Sequence, residues 1–179
     1  ISDDKLQSQM RQDVNDMIAM LDATLTYLHE QRTSEALQLM DVQALVESLC
    51  ENAQDQGADV HVSGHCAPLP VQPMALRSCL NNLMDNALRY AGQARIELHD
   101  QREQLLIRVI DHGPGIAEDK REAVFEPFFR LEGSRNRNSG GVGLGMTIAR
   151  EAAQRLGGQL NLEETPGGGL TAIIHLPRA

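Results

Sequence analysis

Glycine and proline cut this chain into short periodic segments, and those cuts constrain its fold more than any other feature. Gly57, Gly92 and the pair Gly157-Gly158 each end a stretch of helix-like apolar spacing, and Pro73 opens one. Glycine ends helices because it takes up left-handed backbone without a steric penalty, and proline suits a first turn because its missing N–H had no partner there. The spacing predicts helices over 41–56, with Asp41 as the cap, over 73–91 and over 144–156. Segments at 60–62, 94–98, 104–110, 159–163 and 170–176 read as strands, the last two joined by a glycine turn at 167–169. The two prolines in 67–72 make that stretch a loop or an edge strand. Helices and strands alternate irregularly, with adjacent strand pairs near the end. That pattern favours an α+β sandwich over a doubly wound parallel sheet.

The first thirty residues are of another kind. Val14, Leu21 and Leu28 lie seven apart, as do Met10 and Met17, and Ile18 and Leu25. Heptad spacing predicts one amphipathic helix over 4–30 that offers an apolar stripe to a bundle or coiled-coil partner. Packing of the same stripe on the chain's own domain is the alternative. Residues 31–40 read as a connector.

Composition excludes several classes. At 179 residues the chain is one ordinary domain, or one domain with a helical arm. Sixteen basic against 25 acidic residues give a formal charge of −9, which argues against general nucleic-acid binding. No apolar run approaches the roughly 18–20 residues of a membrane span. The chain starts at Ile1 and reads as a piece of a longer protein. Cys50, Cys66 and Cys79 form no C-x-x-C pair, which fits free thiols in a reducing compartment.

Four elements carry chemistry. In Asn82-Leu83-Met84-Asp85-Asn86-Ala87-Leu88-Arg89-Tyr90, the residues Asn82, Asn86, Arg89 and Tyr90 share one side of a helix. Two amides and an arginine there can serve a metal's oxygen shell and a phosphate, or simply be a solvated face. Asp111-His112-Gly113-Pro114-Gly115-Ile116 follows a strand. Its carboxylate can accept from an exocyclic amine while its glycines let a flat ring approach; a plain tight turn is the bland reading. Gly141-Val142-Gly143-Leu144-Gly145 opens a helix, where free N–H groups bind phosphate. It is neither a dinucleotide fingerprint, since Met146 stands where the third glycine would be, nor a Walker A loop. The fourth, Phe125-Glu126-Pro127-Phe128-Phe129-Arg130, holds all three phenylalanines of the chain. It reads as a core anchor or as the pinned end of a lid.

In this order and spacing the four resemble the N, G1, F and G2 boxes of bacterial sensor histidine kinases, members of the GHKL ATPase superfamily. Gly167-Gly168-Gly169 with Leu170 and Thr171 resembles the last box. The resemblance covers roughly 41–177, and the helix before it is similar to the second helix of the family's dimerisation and phosphotransfer hairpin. It implies a two-layer α/β sandwich of the GHKL (Bergerat) type with an N-terminal amphipathic helix. Residues 1–40 would be that helix and a linker, and 41–179 the ATP-binding catalytic domain.

The resemblance also implies roles. Asn86 would ligate Mg²⁺ bridging the phosphates of ATP, with Asn82 beside it as a catalytic residue. Arg89 and Tyr90 would reach phosphate or ribose. Asp111 would accept from the adenine amine, and Gly113, Gly115 and Ile116 would shape the adenine pocket. Arg130 would approach the γ-phosphate, and Gly141, Gly143, Leu144 and Gly145 would close over the phosphates. Leu170 stands where many relatives have threonine, so Thr171 would take over near the adenine. The implied activity is that of a protein-histidine kinase in a two-component phosphorelay. The γ-phosphoryl would pass to a histidine on the protein's own phosphotransfer helix and then to an aspartate of a response-regulator receiver domain. The intact protein would be a homodimer with this part on the cytoplasmic side of a bacterial inner membrane.

None of the six histidines lies in the family's acceptor motif, so this chain is not expected to phosphorylate itself. His29 is followed by Glu30, but no proline follows at the required spacing, and the residue suits a helix end. His61, His65 and Cys66 lack a fourth nearby ligand for a metal. Two rivals remain. Another GHKL ATPase would need a glutamate to position water where Asn82 stands. A degenerate nucleotide-sensing scaffold would bind without transfer.

Overall fold

The computed structural model describes residues 2–32, 35–129 and 144–178. Helix α1 (Ser2–Arg32) covers the predicted 4–30 and is about 46 Å long at 1.5 Å per residue. Along it Met10, Val14, Met17, Ile18, Leu21, Leu25 and Leu28 are all exposed, so its apolar stripe is not buried on the chain's own domain. The Tyr27 hydroxyl donates to Glu151 at 2.6 Å, and this bond pushes the phenol up to about 12.

Strand β1 (Gln38–Met40) pairs antiparallel with β3 (Leu69–Val71). Three residues of the expected connector therefore belong to a two-stranded sheet. Helix α2 (Val42–Asp55) starts as predicted at Asp41, whose side chain accepts from the Ala44 N–H at 3.0 Å. The main sheet has the order β2-β4-β5-β7-β6, from β2 (Asp59–His65), β4 (Gln93–Asp100), β5 (Gln104–Ile110), β7 (Leu170–Pro177) and β6 (Gln159–Glu164). Only β2 with β4 is parallel among these pairings; the other three are antiparallel.

Helices α2, α3 (Pro73–Ala91) and α4 (Gly145–Arg155) cover one face of this sheet. Strand alternation sends Ala94, Ile96 and Leu98, then Leu105, Ile107 and Val109, then Ala172, Ile174 and Leu176 to that face. They meet Val42, Val46, Leu76, Cys79, Leu80, Leu83, Ala149, Ala152 and Ala153 from the helices. The result is the expected two-layer α+β sandwich.

Short contacts fix the ends. Gly92 ends α3 in the left-handed region at φ 73°. A Cβ on Gly158 would collide with the His175 carbonyl, so only glycine lets the turn after α4 reach β7. Arg178 donates to both oxygens of Asp100, at 2.6 and 2.7 Å, and to the carbonyls of Ala67 and Pro68. The last described residue thereby fastens the loop between β2 and β3. Among the described residues no helix is long and apolar enough to cross a membrane.

Candidate nucleotide-binding site

Helix α3 supplies one wall. Its buried residues are Ala75, Leu76, Cys79, Leu80, Leu83, Met84 and Ala87, which leaves Asn82 and Asn86 half-buried at the edge of the core face. The Asn82 amide donates to the Ser78 carbonyl at 2.8 Å. Its Oδ1 lies 3.6 Å from where a Cβ on Gly145 would stand, so it faces the start of α4. The Asn86 side chain makes no hydrogen bond to any described residue. Arg89 and Tyr90 are exposed on the last turn of α3. Asp85, between the two asparagines, has its carboxyl raised by partial burial, against which Arg89 acts.

Helix α4 meets α3 at this point. Its first internal bond runs from the Ile148 N–H to the Leu144 carbonyl at 2.9 Å. Among the described residues the N–H groups before Ile148 have no such partner, which is the ordinary condition of a helix start and the basis of phosphate binding there. Leu144 is buried and makes no side-chain cap, so it leaves these donors to another acceptor. The Cys79 thiol donates to the Ala149 carbonyl at 3.3 Å and ties the two helices together beneath the site.

The floor is the loop after β5. Asp111 is 5% exposed. Its Oδ1 accepts the Gly113 N–H and the Leu170 N–H, both at 3.0 Å. Oδ1 is thus committed to the backbone, and Oδ2 accepts from no described residue. A Cβ on Gly113 would press on Ala91, and one on Gly169 would collide with the Asp111 carbonyl. A Cβ on Gly115, at φ 69°, would stand 3.0 Å from the Gly169 carbonyl. Three glycines thus let the loop, the end of α3 and the 167–169 turn interleave. Ile116 is half-buried, and its carbonyl accepts from Arg121 Nε at 3.2 Å.

The phenylalanine segment borders α4. Thr147 Oγ1 donates to the Phe125 carbonyl at 2.7 Å, and the Arg150 guanidinium stacks 4.7 Å over the Phe125 ring. Two short 3₁₀ turns, Glu118–Lys120 and Ala123–Phe125, precede it. Phe128 is exposed at φ 64°, an unfavourable conformation for a bulky residue.

Of the residues singled out from sequence, the structure brings Asn82 to Gly145 at the start of α4, and Asp111, Gly113 and Gly115 to the end of α3 and the 167–169 turn. Arg130, Gly141 and Gly143 lie outside the described residues. The Thr171 hydroxyl is bonded to Thr165 at 2.9 Å in a buried pair. Leu170 reaches Asp111 through its backbone N–H, which no side-chain pattern could have disclosed. His61 pairs with Asp59 and His65 with Gln43; among the described residues no three metal-binding side chains gather.

Residues 71–179 match the sequence model of the histidine kinase-, DNA gyrase B-, and HSP90-like ATPases. The chain belongs to this family. Within the family it is similar to sensor histidine kinases. It is 35% identical over 179 residues to the sensor histidine kinase GtrS of Pseudomonas aeruginosa, covering 99% of this chain and 37% of that protein. It is 34% identical over 167 residues to the sensor histidine kinase CpxA of Escherichia coli, covering 92% of this chain and 36% of that protein. The chain thus spans little more than a third of the length of these relatives.

Solved structures agree on the fold of this family member. Full-length ShkA in complex with AMPPNP superposes with a TM-score of 0.76 at 19% identity, over 100% of this chain and 39% of that one. The ATP-binding domain of PrrB from Mycobacterium tuberculosis does so with 0.67 at 24% identity, over 81% of this chain and 99% of that one. These likenesses are ones of fold, and the matched sequence model is that of an ATPase domain.

Proposed function

We propose that this chain binds Mg-ATP at this site and, in the intact protein, transfers the γ-phosphoryl group to a histidine on a phosphotransfer helix, from which it passes to a receiver-domain aspartate of a response regulator. The observation that carries this reading is the divided use of the Asp111 carboxylate. Two backbone N–H groups hold Oδ1, and among the described residues no donor competes for Oδ2. Adenine offers an exocyclic amine to such an acceptor, whereas guanine offers a carbonyl there.

The phosphates would then run from Asp111 toward the start of α4, along the side of α3 that carries Asn82 and Asn86. The residues present fit a hard cation: Asn86 has an amide oxygen with no competing partner among the described residues. Magnesium, when bound, would offset phosphate charge. The chain's own contribution is to hold and orient: the α4 N–H groups and Gly145 on the phosphates, Asn82 and Arg130 beside the transferred group, Arg89 and Tyr90 toward phosphate or ribose. Catalysis of this kind is positioning with charge stabilisation. Gly141, Gly143 and Leu144 belong to the segment that would close over the phosphates.

Residues 1–40 are assigned to the dimerisation and phosphotransfer region with its linker, and 41–179 to the catalytic domain. The exposed stripe of α1 supports a helix bundle in a homodimer, and the sequence resemblance implies a place on the cytoplasmic side of a membrane sensor. Against a water-activating ATPase stands Asn82, an amide that cannot act as a base.

Calorimetric titration with Mg-ATP and GTP tests the reading, using the wild-type chain and Asp111→Asn. ATP is expected to be preferred, and the variant is expected to lose at least about tenfold in ATP affinity, the cost of one charged hydrogen bond. Equal binding of ATP and GTP, unaffected by the substitution, would overturn the placement of adenine at Asp111.

A further inference from the structure

Helix α3 begins without a cap of its own. Gln72 stands at its N-cap position with no side-chain bond to the first turn, and its Oε1 is buried without a partner. Pro73 has no N–H, so Met74 and Ala75 present the first donors that need an acceptor. A remote residue answers both. Glu35 accepts the Met74 N–H at Oε1, 2.7 Å, and the Ala75 N–H at Oε2, 3.2 Å. A carboxylate at the positive end of a helix, with one oxygen on each donor, is a strong form of this contact.

The position of Glu35 gives the contact a consequence. It lies three residues beyond Arg32, where α1 ends, and three before Gln38, where β1 begins. Three peptide steps span at most about 11 Å. Strand β1 pairs with β3, and β3 leads directly to Gln72 and Pro73. The segment after α1 is thus fastened twice at the same place: by its carboxylate on the first turn of α3, and by the β1–β3 ladder beside it. Asn82 and Asn86 follow Met74 on the same helix by about 12 and 18 Å along its axis.

We propose that Glu35 is a positioning residue for the phosphate side of the nucleotide site: it ties the segment that follows α1 to the first turn of α3, so that the placement of Asn82 and Asn86 depends on that segment. The inference rests on the nucleotide reading above. It differs from simple capping, which any local acceptor at position 72 would provide. Placed there, an aspartate could serve the same two N–H groups from within the helix and would leave the segment after α1 unattached.

The test compares the wild-type chain, Glu35→Ala, and Glu35→Ala combined with Gln72→Asp. Each is titrated with Mg-AMPPNP and with adenosine and is melted thermally. Glu35→Ala is expected to weaken Mg-AMPPNP by about threefold to tenfold, in keeping with the strength of a charged cap. Adenosine affinity is expected to hold, because the Asp111 floor rests on β5 and β7. The double variant is expected to melt like wild type and to keep the weakened Mg-AMPPNP affinity. Unchanged Mg-AMPPNP affinity in Glu35→Ala, equal losses for both ligands, or restored affinity in the double variant would each overturn the proposal. A wild-type chain that binds neither ligand would overturn the nucleotide reading, and this inference with it.

Discussion

At the residue scale, the site depends on positions where a single atom decides the outcome. Gly169 combines φ 121° with a place where a Cβ would run into the Asp111 carbonyl. Gly167, two residues earlier, has φ 87° and open space around it. Both substitutions to alanine strain the backbone, and only the first also adds a collision. Gly169→Ala should therefore cost about 2–4 kcal/mol and Gly167→Ala about 1–2 kcal/mol, read from denaturant unfolding. Asn86 is the opposite case, a side chain that contributes little to the fold because it bonds to no described residue. Asn86→Ala should leave the melting temperature near that of wild type. It should also abolish most of the difference between nucleotide affinity with Mg²⁺ and without it. A variant that keeps the full Mg²⁺ dependence would remove Asn86 from the cation site.

At the scale of elements, three separate ties hold the parts of the candidate site. Cys79 reaches the backbone of α4, Thr147 holds the phenylalanine segment, and Leu170 joins β7 to Asp111. The far end of the sheet has its own tie in Arg178 and Asp100. The guanidinium, with the Ala67 N–H, holds the Asp100 carboxyl below the usual carboxylate range. A carboxylate whose folded pKa is depressed contributes stability above its unfolded value, about 3.9, and that contribution fades as pH falls through the folded value. Arg178→Ala should therefore destabilise by about 1–2 kcal/mol at neutral pH, the loss of partly exposed charged hydrogen bonds. The gap between variant and wild type should narrow as pH falls from about 4 through the lower folded value of the wild type, below which Asp100 is protonated in both. A constant gap across that range in a pH series of unfolding curves would mean that the carbonyl bonds to Ala67 and Pro68 carry the effect alone.

At the scale of the molecule, one core lies between the helical layer and the sheet, and α1 stands outside it with its apolar stripe exposed. Cys50 and Cys79 lie in that core at 1% and 0% exposure. Burial pushes their thiols up, to about 11 and about 12. Since the thiolate is the reactive form, neither should be alkylated at pH 8 while the domain is folded. Modification of Cys79, followed by mass spectrometry through a denaturant series, should rise only with global unfolding. Labelling of Cys79 well before the main transition would mean that α3 and α4 separate as a local event.

Much of this architecture was readable from short windows of sequence. The ends of α2, α3 and α4 follow from Asp41, Pro73, Gly92 and Gly157, because caps and turns are settled by bonds within four or five residues. The polar side of α3 and the strand-end Asp111 were legible for the same reason. Strand β1 was not, since three residues of a connector become a strand only when β3 offers a free edge. The parallel pairing of β2 with β4 and the order of the five strands are likewise decided by which edges the folded sheet leaves open. The bond between the Thr171 and Thr165 hydroxyls likewise joins β7 to the residue after β6 and is not visible in either segment alone. Leu170 acts through a backbone N–H that every residue but proline possesses, and Glu35 acts on a helix start 39 residues away. Sequence by itself therefore determined the helices, their limits and the chemistry available on them, because those rest on local bonds. Only the tertiary structure decided which backbone groups meet Asp111 and what holds the start of α3, because those contacts join segments far apart along the chain.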